Sequence, residues 1–309
     1  MLTPNRSEMT QSLAGRFRRN LQRLVRVSQK LVSGKPVVVK LGSKCLKVCV
    51  RRKAIQQLRR EVENSARAVT SPVYAPWSVV RVRPLGPFIA TSSYIQQQHS
   101  AKPLQAYARK QGAMISVALR TWPRVVTAPK CSASCLIQRR FAELSVGLCM
   151  QDEGPSTCKR CMHRKDRLAC TLAERTRYLI DHSHFGFSVP VTPMHGDFYP
   201  GNAVMDGNRL FLIDWEHASE HGSLLYDWWF LWHSISKRPD LDDSGRSYSH
   251  FLEKAMPRLG ISMRQFDAFG HVMEGVVNLS RRRTRRANDH EIEQTLCALE
   301  PIASVRYRE

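Results

Sequence analysis

The arrangement of apolar and polar positions changes once along the chain, near residue 100. Before that point, residues 36–41 and 45–50 are rich in β-branched and apolar side chains and flank a turn signal at 42–44, which predicts two strands. A stretch without proline or glycine follows at 51–68 and predicts a helix. The first part of the chain therefore begins as a hairpin that leads into a helix.

Short extended segments at 77–82 and 88–95 complete this part, which we expect to form one small antiparallel sheet with one helix inserted. Beyond it the pattern is helical, apart from a hairpin block at 191–214. The predicted fold class is α+β, with a small β-rich lobe and a larger, mostly α lobe. The predicted domains are a basic N-terminal arm at 1–35, a small lobe at 36–97 and a helical lobe at 98–309, with a linker around 94–103.

The predicted arm contains a basic amphipathic stretch at 14–32, with apolar residues at helical spacing and arginines on the other face. Two interpretations stay open. The helix packs on the body with its basic face in solvent, or it lies on an anionic membrane surface.

Charge and cysteine content narrow the setting. The 309 residues include 48 Lys+Arg and 26 Asp+Glu, and the formal charge of +22 attracts anionic partners. No apolar run approaches the roughly 18 residues of a membrane-spanning helix, and the arginine-rich N-terminus lacks the apolar core of a secretory signal. The nine cysteines, an odd number, are most simply read as reduced thiols of a cytosolic protein. We therefore expect a cytoplasmic protein, with peripheral contact to the inner membrane face as the extension that its charge favours.

The block at 194–229 carries the candidate chemistry. The turn signal at 206–208 separates two apolar stretches and predicts a hairpin. Asp197 and Asn202 precede its first strand, and Asp214 follows its second strand. A hairpin brings these two positions together, so the three side chains should converge at one end of it.

Two carboxylates and a carboxamide on loops offer the hard oxygen ligands that Mg²⁺ prefers, with room left for phosphate oxygens and water. Such a site beside a carboxylate that accepts a hydroxyl proton is suited to phosphoryl transfer. The spacing Asp197-x4-Asn202 is that of the protein-kinase catalytic loop, and Asp214 stands where that fold places its metal-binding aspartate.

The motif His195-Gly196-Asp197-Phe198-x-x-x-Asn202, followed by Ile213-Asp214-Trp215-Glu216 and then Asp227, resembles the aminoglycoside phosphotransferase and choline kinase superfamily. These are small-molecule kinases with the bilobal protein-kinase-like fold. The resemblance covers about 35 residues closely and the N-terminal lobe only loosely.

The resemblance implies a role for each motif residue. Asp197 would be the catalytic base, and Asn202 and Asp214 would be Mg²⁺ ligands. His195 would support the catalytic loop, and Asp227 would brace it from a helix. Glu216 stands where choline-kinase-like members also carry glutamate, and would reach a second metal or the substrate.

The same fold requires a small-lobe lysine that holds the ATP phosphates and a helix glutamate that orients it. Lys47 is the first candidate because its strand leads directly into the predicted helix, and Glu61 on that helix is its expected partner. Lys40 stays open as the alternative, since the segment at 37–40 resembles the kinase lysine strand. A third interpretation is that both lysines are solvated strand residues.

Two features depart from or add to the kinase pattern. No GxGxxG loop is present, and only the segments at 33–35 and 42–44 offer short substitutes. The adenine would bind the backbone near 93–96. Cys158, Cys161 and His163, with Cys170 and Cys149 nearby, leave a zinc site open, although separate thiols are the simpler interpretation.

The predicted function is Mg²⁺- and ATP-dependent phosphorylation of a hydroxyl on a small molecule or glycan. A charge of +22 favours an anionic acceptor, such as a sugar of the envelope lipopolysaccharide, and the arginine run at 281–286 would contact an anionic substrate or lipid. Two alternatives stay open. One is a kinase-like protein that binds nucleotide or a partner without catalysis. The other is a protein that binds nucleic acid through its charge. The sequence contains no recognisable nucleic-acid-binding module, so nucleic acid is not expected as a specific partner.

Overall fold

The structure is a computed structural model. It describes residues 37–41, 44–74, 78–93, 103–145, 164–182, 185–206, 209–236, 242–283, 293–297 and 299. The predicted arm at 1–35, the adenine-contacting residues after Ser93, most of the cysteine group and residues 284–286 of the arginine run lie outside these ranges.

Seven longer helices form the framework of the described ranges. They are α1 (Arg52–Thr70), α2 (Pro103–Thr127), α3 (Ala133–Ser145), α4 (Arg164–His182), α5 (Leu224–Ser236), α6 (Asp242–Leu259) and α7 (Met263–Arg283). Short 3₁₀ turns occur at Pro72–Tyr74, Pro200–Asn202 and Trp215–His217.

The strands in the described part of the chain are short and form four small sheets. They are β1 (Val37–Leu41), β2 (Lys44–Val48), β3 (Ser78–Val79), β4 (Arg83–Pro84), β5 (Ile89–Ser93), β6 (Lys130–Ser132), β7 (Ser188–Pro190), β8 (Thr192–Met194), β9 (Ala203–Asp206), β10 (Arg209–Leu212) and β11 (Ser219–Gly222). The sheet orders are β1-β2-β5-β4, β3-β10-β9, β11-β8 and β6-β7. The predicted α+β class is confirmed.

Cα proximity divides the chain into two units, one comprising 1–62 and 81–94 and the other 63–80 and 95–309. The smaller unit contains the four-stranded antiparallel sheet and the first half of α1. Its core is small and is formed by Cys49, Ala54, Leu58, Val82 and Ala90. The unit thus matches the predicted hairpin, helix and returning strand. The domain boundaries given above stay a prediction.

The larger unit has an extensive apolar core. Trp215, Trp228 and Trp229 are fully buried there, and Trp232 packs against it half-buried. Helix α5 is apolar on almost every face, as expected of a helix enclosed by its neighbours. The aromatic residues around the candidate motif therefore belong to the core and give the loops beside them a rigid support.

One expectation about the sheet was wrong. Within the predicted segment at 77–82, Ser78–Val79 does not extend the small antiparallel sheet, because it pairs in parallel with β10 in the larger unit. The Val80 N–H also donates to the carbonyl of Leu212 at 3.2 Å. The reason is burial, since Val79 packs against the large core rather than the small one.

Within the described part of the chain, no helix is both long and apolar enough to cross a membrane.

Candidate active site

The hairpin of β9 and β10 sets the position of the candidate motif. Its strands pair antiparallel from Arg209 opposite Asp206 to Leu212 opposite Ala203, and residues 207–208 between them lie outside the described ranges. One step beyond the last pair, the Ile213 N–H donates to the carbonyl of Asn202 at 3.0 Å. Asn202 and the residue before Asp214 are therefore bonded to each other at the open end of the hairpin.

Asn202 also holds the loop before it. Its Nδ2 donates to the backbone carbonyl of Asp197 at 2.9 Å and to Oδ2 of the same residue at 2.9 Å. Pro200 starts the 3₁₀ turn that leads into Asn202. The structure thus places Asp197, Asn202 and the backbone that leads into Asp214 next to one another.

His195 lies fully buried beneath this place. Its Nε2 is 3.0 Å from the carbonyl of Ile213, and its Nδ1 accepts from the Asp197 N–H at 3.3 Å. A neutral ring with its proton on Nε2 satisfies both contacts. Burial is the main cause that lowers the pKa of His195 to about 4. The ring joins the backbone before Asp214 to the backbone of Asp197, and its catalytic role stays a prediction.

This burial leads to a prediction on pH. Because the pKa of His195 falls from 6.5 when unfolded to about 4 when folded, its contribution to stability is complete above pH 6.5 and is lost as the pH falls towards 4. In His195→Asn this loss should be absent. The difference in unfolding free energy between wild type and variant should therefore shrink by about 3 kcal/mol between pH 7 and pH 4. Urea unfolding at each pH, in EDTA, measures it, and a constant difference would contradict the prediction.

Asp227 holds the same loop from helix α5. Its two carboxylate oxygens accept the N–H groups of His195 at 2.7 Å and Gly196 at 2.8 Å. The pKa of Asp227 is raised to about 7, mainly by burial and to a smaller extent by the nearby Asp197, although the two backbone hydrogen bonds lower it. Its contribution to stability is therefore complete below pH 3.8 and is lost as the pH rises to 7, opposite in sign to that of His195.

Gly196 allows the close approach of two loops. Its φ is +77°, and a Cβ placed on it would lie 2.4 Å from the carbonyl oxygen of His217. Both the left-handed backbone and the missing side chain are therefore required at this position.

Gly196→Ala is expected to destabilise the protein by at least about 2 kcal/mol, because it adds left-handed strain and a collision with backbone. Thermal unfolding compared with Gly186→Ala is the measurement, since nothing lies within 4 Å of a Cβ at Gly186. Equal melting temperatures for the two variants would show that the loop moves aside freely.

Asp214 has an unusual backbone. It is the only residue other than glycine with positive φ among the described residues, at φ 64° and ψ 61°. Such conformations cost about 1–3 kcal/mol and occur where the surrounding structure enforces them, often at functional sites. The next residues form the turn Trp215–His217, in which Glu216 is buried and its Oε1 lies 3.2 Å from Nε2 of His217.

The candidate nucleotide residues lie in the smaller unit. Nζ of Lys47 and Oε2 of Glu61 form an ion pair at 2.5 Å, and the Glu61 side chain is almost completely buried. Lys40 stands on β1 opposite Cys45, and its side chain lies outside the described residues. The predicted partnership of Lys47 with Glu61 is therefore present as a contact, and its role with ATP stays a prediction.

Comparison with known proteins shows which protein family this region resembles. Residues 157–259 match the model of the Phosphotransferase enzyme family. This range contains every motif residue from His195 to Asp227, so the resemblance inferred from the motif and the predicted phosphotransferase class are confirmed there. A search of curated proteins found no match.

Several solved structures of phosphotransferases are similar to this chain at low sequence identity. A choline/ethanolamine kinase family protein from Mesorhizobium loti is 12% identical with a TM-score of 0.46, over 88% of this chain and 86% of its own. The choline kinase LicA from Streptococcus pneumoniae is 14% identical with a TM-score of 0.47, over 87% and 90%. The ADP-bound aminoglycoside phosphotransferase APH(2'')-Ib is 12% identical with a TM-score of 0.47, over 93% and 95%.

Two residues of this phosphotransferase-like site were missed from the sequence. Asn64 on α1 donates to the carbonyls of Trp215 at 2.9 Å and Ala218 at 3.3 Å, and Arg140 on α3 donates to the carbonyl of His217 at 2.9 Å. Arg140 could have been found, because it lies on the buried stripe of α3 with Ala133, Leu136, Ile137 and Phe141. No sequence pattern distinguishes Asn64 from the other polar residues of its helix.

The zinc alternative gains nothing from the described residues, which contain no group of three or more side chains arranged to hold a metal. Of the cysteine group only Cys170 is described, and it is buried.

Proposed function

We propose that this protein transfers the γ-phosphate of ATP to an alcohol group, with Mg²⁺ bound by Asn202 and Asp214 and with Asp197 as the base. The observation that carries the proposal is the bonded end of the β9–β10 hairpin, where the Asn202 amide holds Asp197 and its carbonyl accepts the N–H before Asp214. The match to the Phosphotransferase enzyme family over this region supports it.

The donor chemistry fits Mg²⁺. The Nδ2 of Asn202 is engaged by Asp197, so its Oδ1 is the atom that remains for a metal. Together with the Asp214 carboxylate this offers hard oxygen donors from two adjoining backbone segments. A bound Mg²⁺ would neutralise the phosphate charge in the transferring group.

The chain itself supplies the proton acceptor. Asp197 is half-buried on a loop fixed by Asn202, His195 and Asp227, and its Oδ2 is oriented by the Asn202 amide. A carboxylate held in this way accepts the proton of an acceptor hydroxyl without reorganising during the reaction. The buried neutral His195, with its proton on Nε2, supports the loop and takes no part in proton transfer in this proposal.

ATP phosphates would be held by Lys47, with Glu61 as its orienting partner. Lys47→Met is expected to raise KM for ATP or lower kcat by roughly 10²-fold in total, since a desolvated charge contact to phosphate is lost. Lys40→Met is the matched comparison and should change either constant less than about threefold. The reverse ranking in steady-state kinetics would assign the phosphate contact to Lys40.

The acceptor we propose is an anionic hydroxyl compound, with a lipopolysaccharide sugar as the leading example. The support is the formal charge of +22, which raises the local concentration of anions around the protein. The basic arm and the arginine run would then assist docking at an anionic membrane face. Pelleting with anionic vesicles tests the docking, and no binding at low salt would contradict it.

The decisive experiment is Mg²⁺-dependent ATP consumption against a panel of acceptors, with Asp197→Ala as the control. The panel covers choline, aminoglycosides, simple sugars and purified lipopolysaccharide core. A stimulated rate that disappears in the variant is the expected result and identifies the acceptor class. Stimulation by choline or an aminoglycoside alone would contradict the anionic acceptor and leave the phosphotransferase intact.

A second candidate is a kinase-like protein that binds nucleotide without transfer. The absence of a GxGxxG loop favours it. Calorimetric binding of Mg·ATP without turnover on the whole panel would support this candidate, whereas a steep salt dependence of nucleic-acid binding without ATP binding would point to the charge-driven alternative.

A further inference from the structure

The segment Trp215–Ala218 (the post-metal turn) is fixed to its surroundings by side chains on two separate helices. Nδ2 of Asn64 on α1 donates to the carbonyls at both ends of the turn, Trp215 at 2.9 Å and Ala218 at 3.3 Å. Nη2 of Arg140 on α3 donates to the carbonyl of His217 at 2.9 Å. Three of the four carbonyls in the turn are therefore held by two side chains.

One side of the post-metal turn faces a pocket. Trp215 and Ala218 border a pocket of about 260 Å³, which is also lined by Asn64, Tyr74 and Met194. The Trp215 side chain is fully buried, with its ring 5.0 Å from that of Tyr74 and 4.6 Å from that of His195. The hydrogen bonds from Asn64 lie at this wall and add a polar restraint on the backbone of the turn.

The restrained backbone follows directly after Asp214. Asp214 is held at φ 64°, a conformation that persists only where neighbouring contacts enforce it. On its other side, Ile213 is fixed by Asn202 and His195. The contacts from Asn64 and Arg140 fix the backbone that follows.

We infer that Asn64 and Arg140 are positioning residues that hold the Asp214 carboxylate in its metal-binding orientation. This inference rests on the proposed function, because it assigns the two side chains to the metal site proposed there. Neither residue touches the metal. Each acts on the backbone that carries a ligand, as outer-shell groups do in other metal sites.

Mn²⁺ binding in the presence of ADP, followed by the electron paramagnetic resonance of free Mn²⁺, tests the inference without turnover. Asn64→Leu keeps the side-chain size and removes both donors. We expect it to weaken Mn²⁺ binding by about ten- to hundredfold, the usual effect of losing an outer-shell partner. Its KM for Mg²⁺ should rise more than its kcat falls. Glu63→Gln, an exposed neighbour on the same helix, is the matched control and should bind Mn²⁺ like the wild type.

Arg140 gives a second, independent arm. Arg140→Met should weaken Mn²⁺ binding similarly, and Arg140→Lys should restore most of it because an ammonium group can still donate to the His217 carbonyl. Circular dichroism shows whether each variant folds. If the buried Arg140→Met does not fold, Asn64→Leu decides, since Asn64 is only half-buried.

The outcomes separate the two proposals. Wild-type Mn²⁺ affinity in a folded Asn64→Leu variant would overturn the positioning role and leave the proposed function standing. A wild-type protein that binds no Mn²⁺ with ADP would overturn the proposed metal site and this inference with it. Equal loss in Glu63→Gln would show a general helix effect and would also overturn the positioning role.

Discussion

Asp197→Asn is expected to lower kcat by roughly 10²- to 10⁴-fold, the range in which a positioned general base contributes. Asparagine has the same shape as aspartate, and its carbonyl oxygen can still accept from Nδ2 of Asn202, so the loop should keep its conformation. What is lost is the ability to take up the acceptor proton. Affinity for ADP and Mn²⁺ should therefore stay within about threefold of the wild type.

Steady-state kinetics with the acceptor found in the panel provides the measurement. Asp206→Asn is the matched control, because Asp206 is an exposed carboxylate at the far end of the same hairpin. A kcat for Asp197→Asn within tenfold of the control would mean that another group accepts the proton, and would remove Asp197 from its proposed role.

The sequence was sufficient for those parts of the site that are close along the chain. The turn signal at 206–208 specified the hairpin, and the hairpin register then placed Asn202 beside Ile213. The contact of Lys47 with Glu61 could be predicted for the same reason, since a strand leads directly into the helix that carries the glutamate. Local geometry leaves little freedom in either case.

Contacts that depend on the packing of distant elements could not be predicted. Asn64 reaches Trp215 across 151 positions and Arg140 reaches His217 across 77. The helical stripe marks Arg140 as buried, but no local pattern gives the partner of either residue. The misplaced strand at 78–79 has the same origin, because two residues can pair with either sheet and burial against the large core decides. The identity of the acceptor is harder still to predict from the sequence, since side chains from several elements together define a substrate pocket.

Asp214→Asn should lower Mn²⁺ affinity by roughly 10²-fold and kcat by roughly 10²- to 10³-fold, because a charge at the transferring group is lost. Asparagine tolerates the left-handed backbone at φ 64°, whereas alanine would add strain and confuse the result. Glu220→Gln, an exposed change on β11, is the control.

The double variant Asp197→Asn/Asp214→Asn tests whether the two carboxylates act as one unit. If they do, it loses little more activity than the weaker single variant, since a base without a correctly bound phosphate has nothing to assist. Fully multiplicative losses would mean that Asp197 and Asp214 contribute independently, which contradicts a single site at the end of the hairpin.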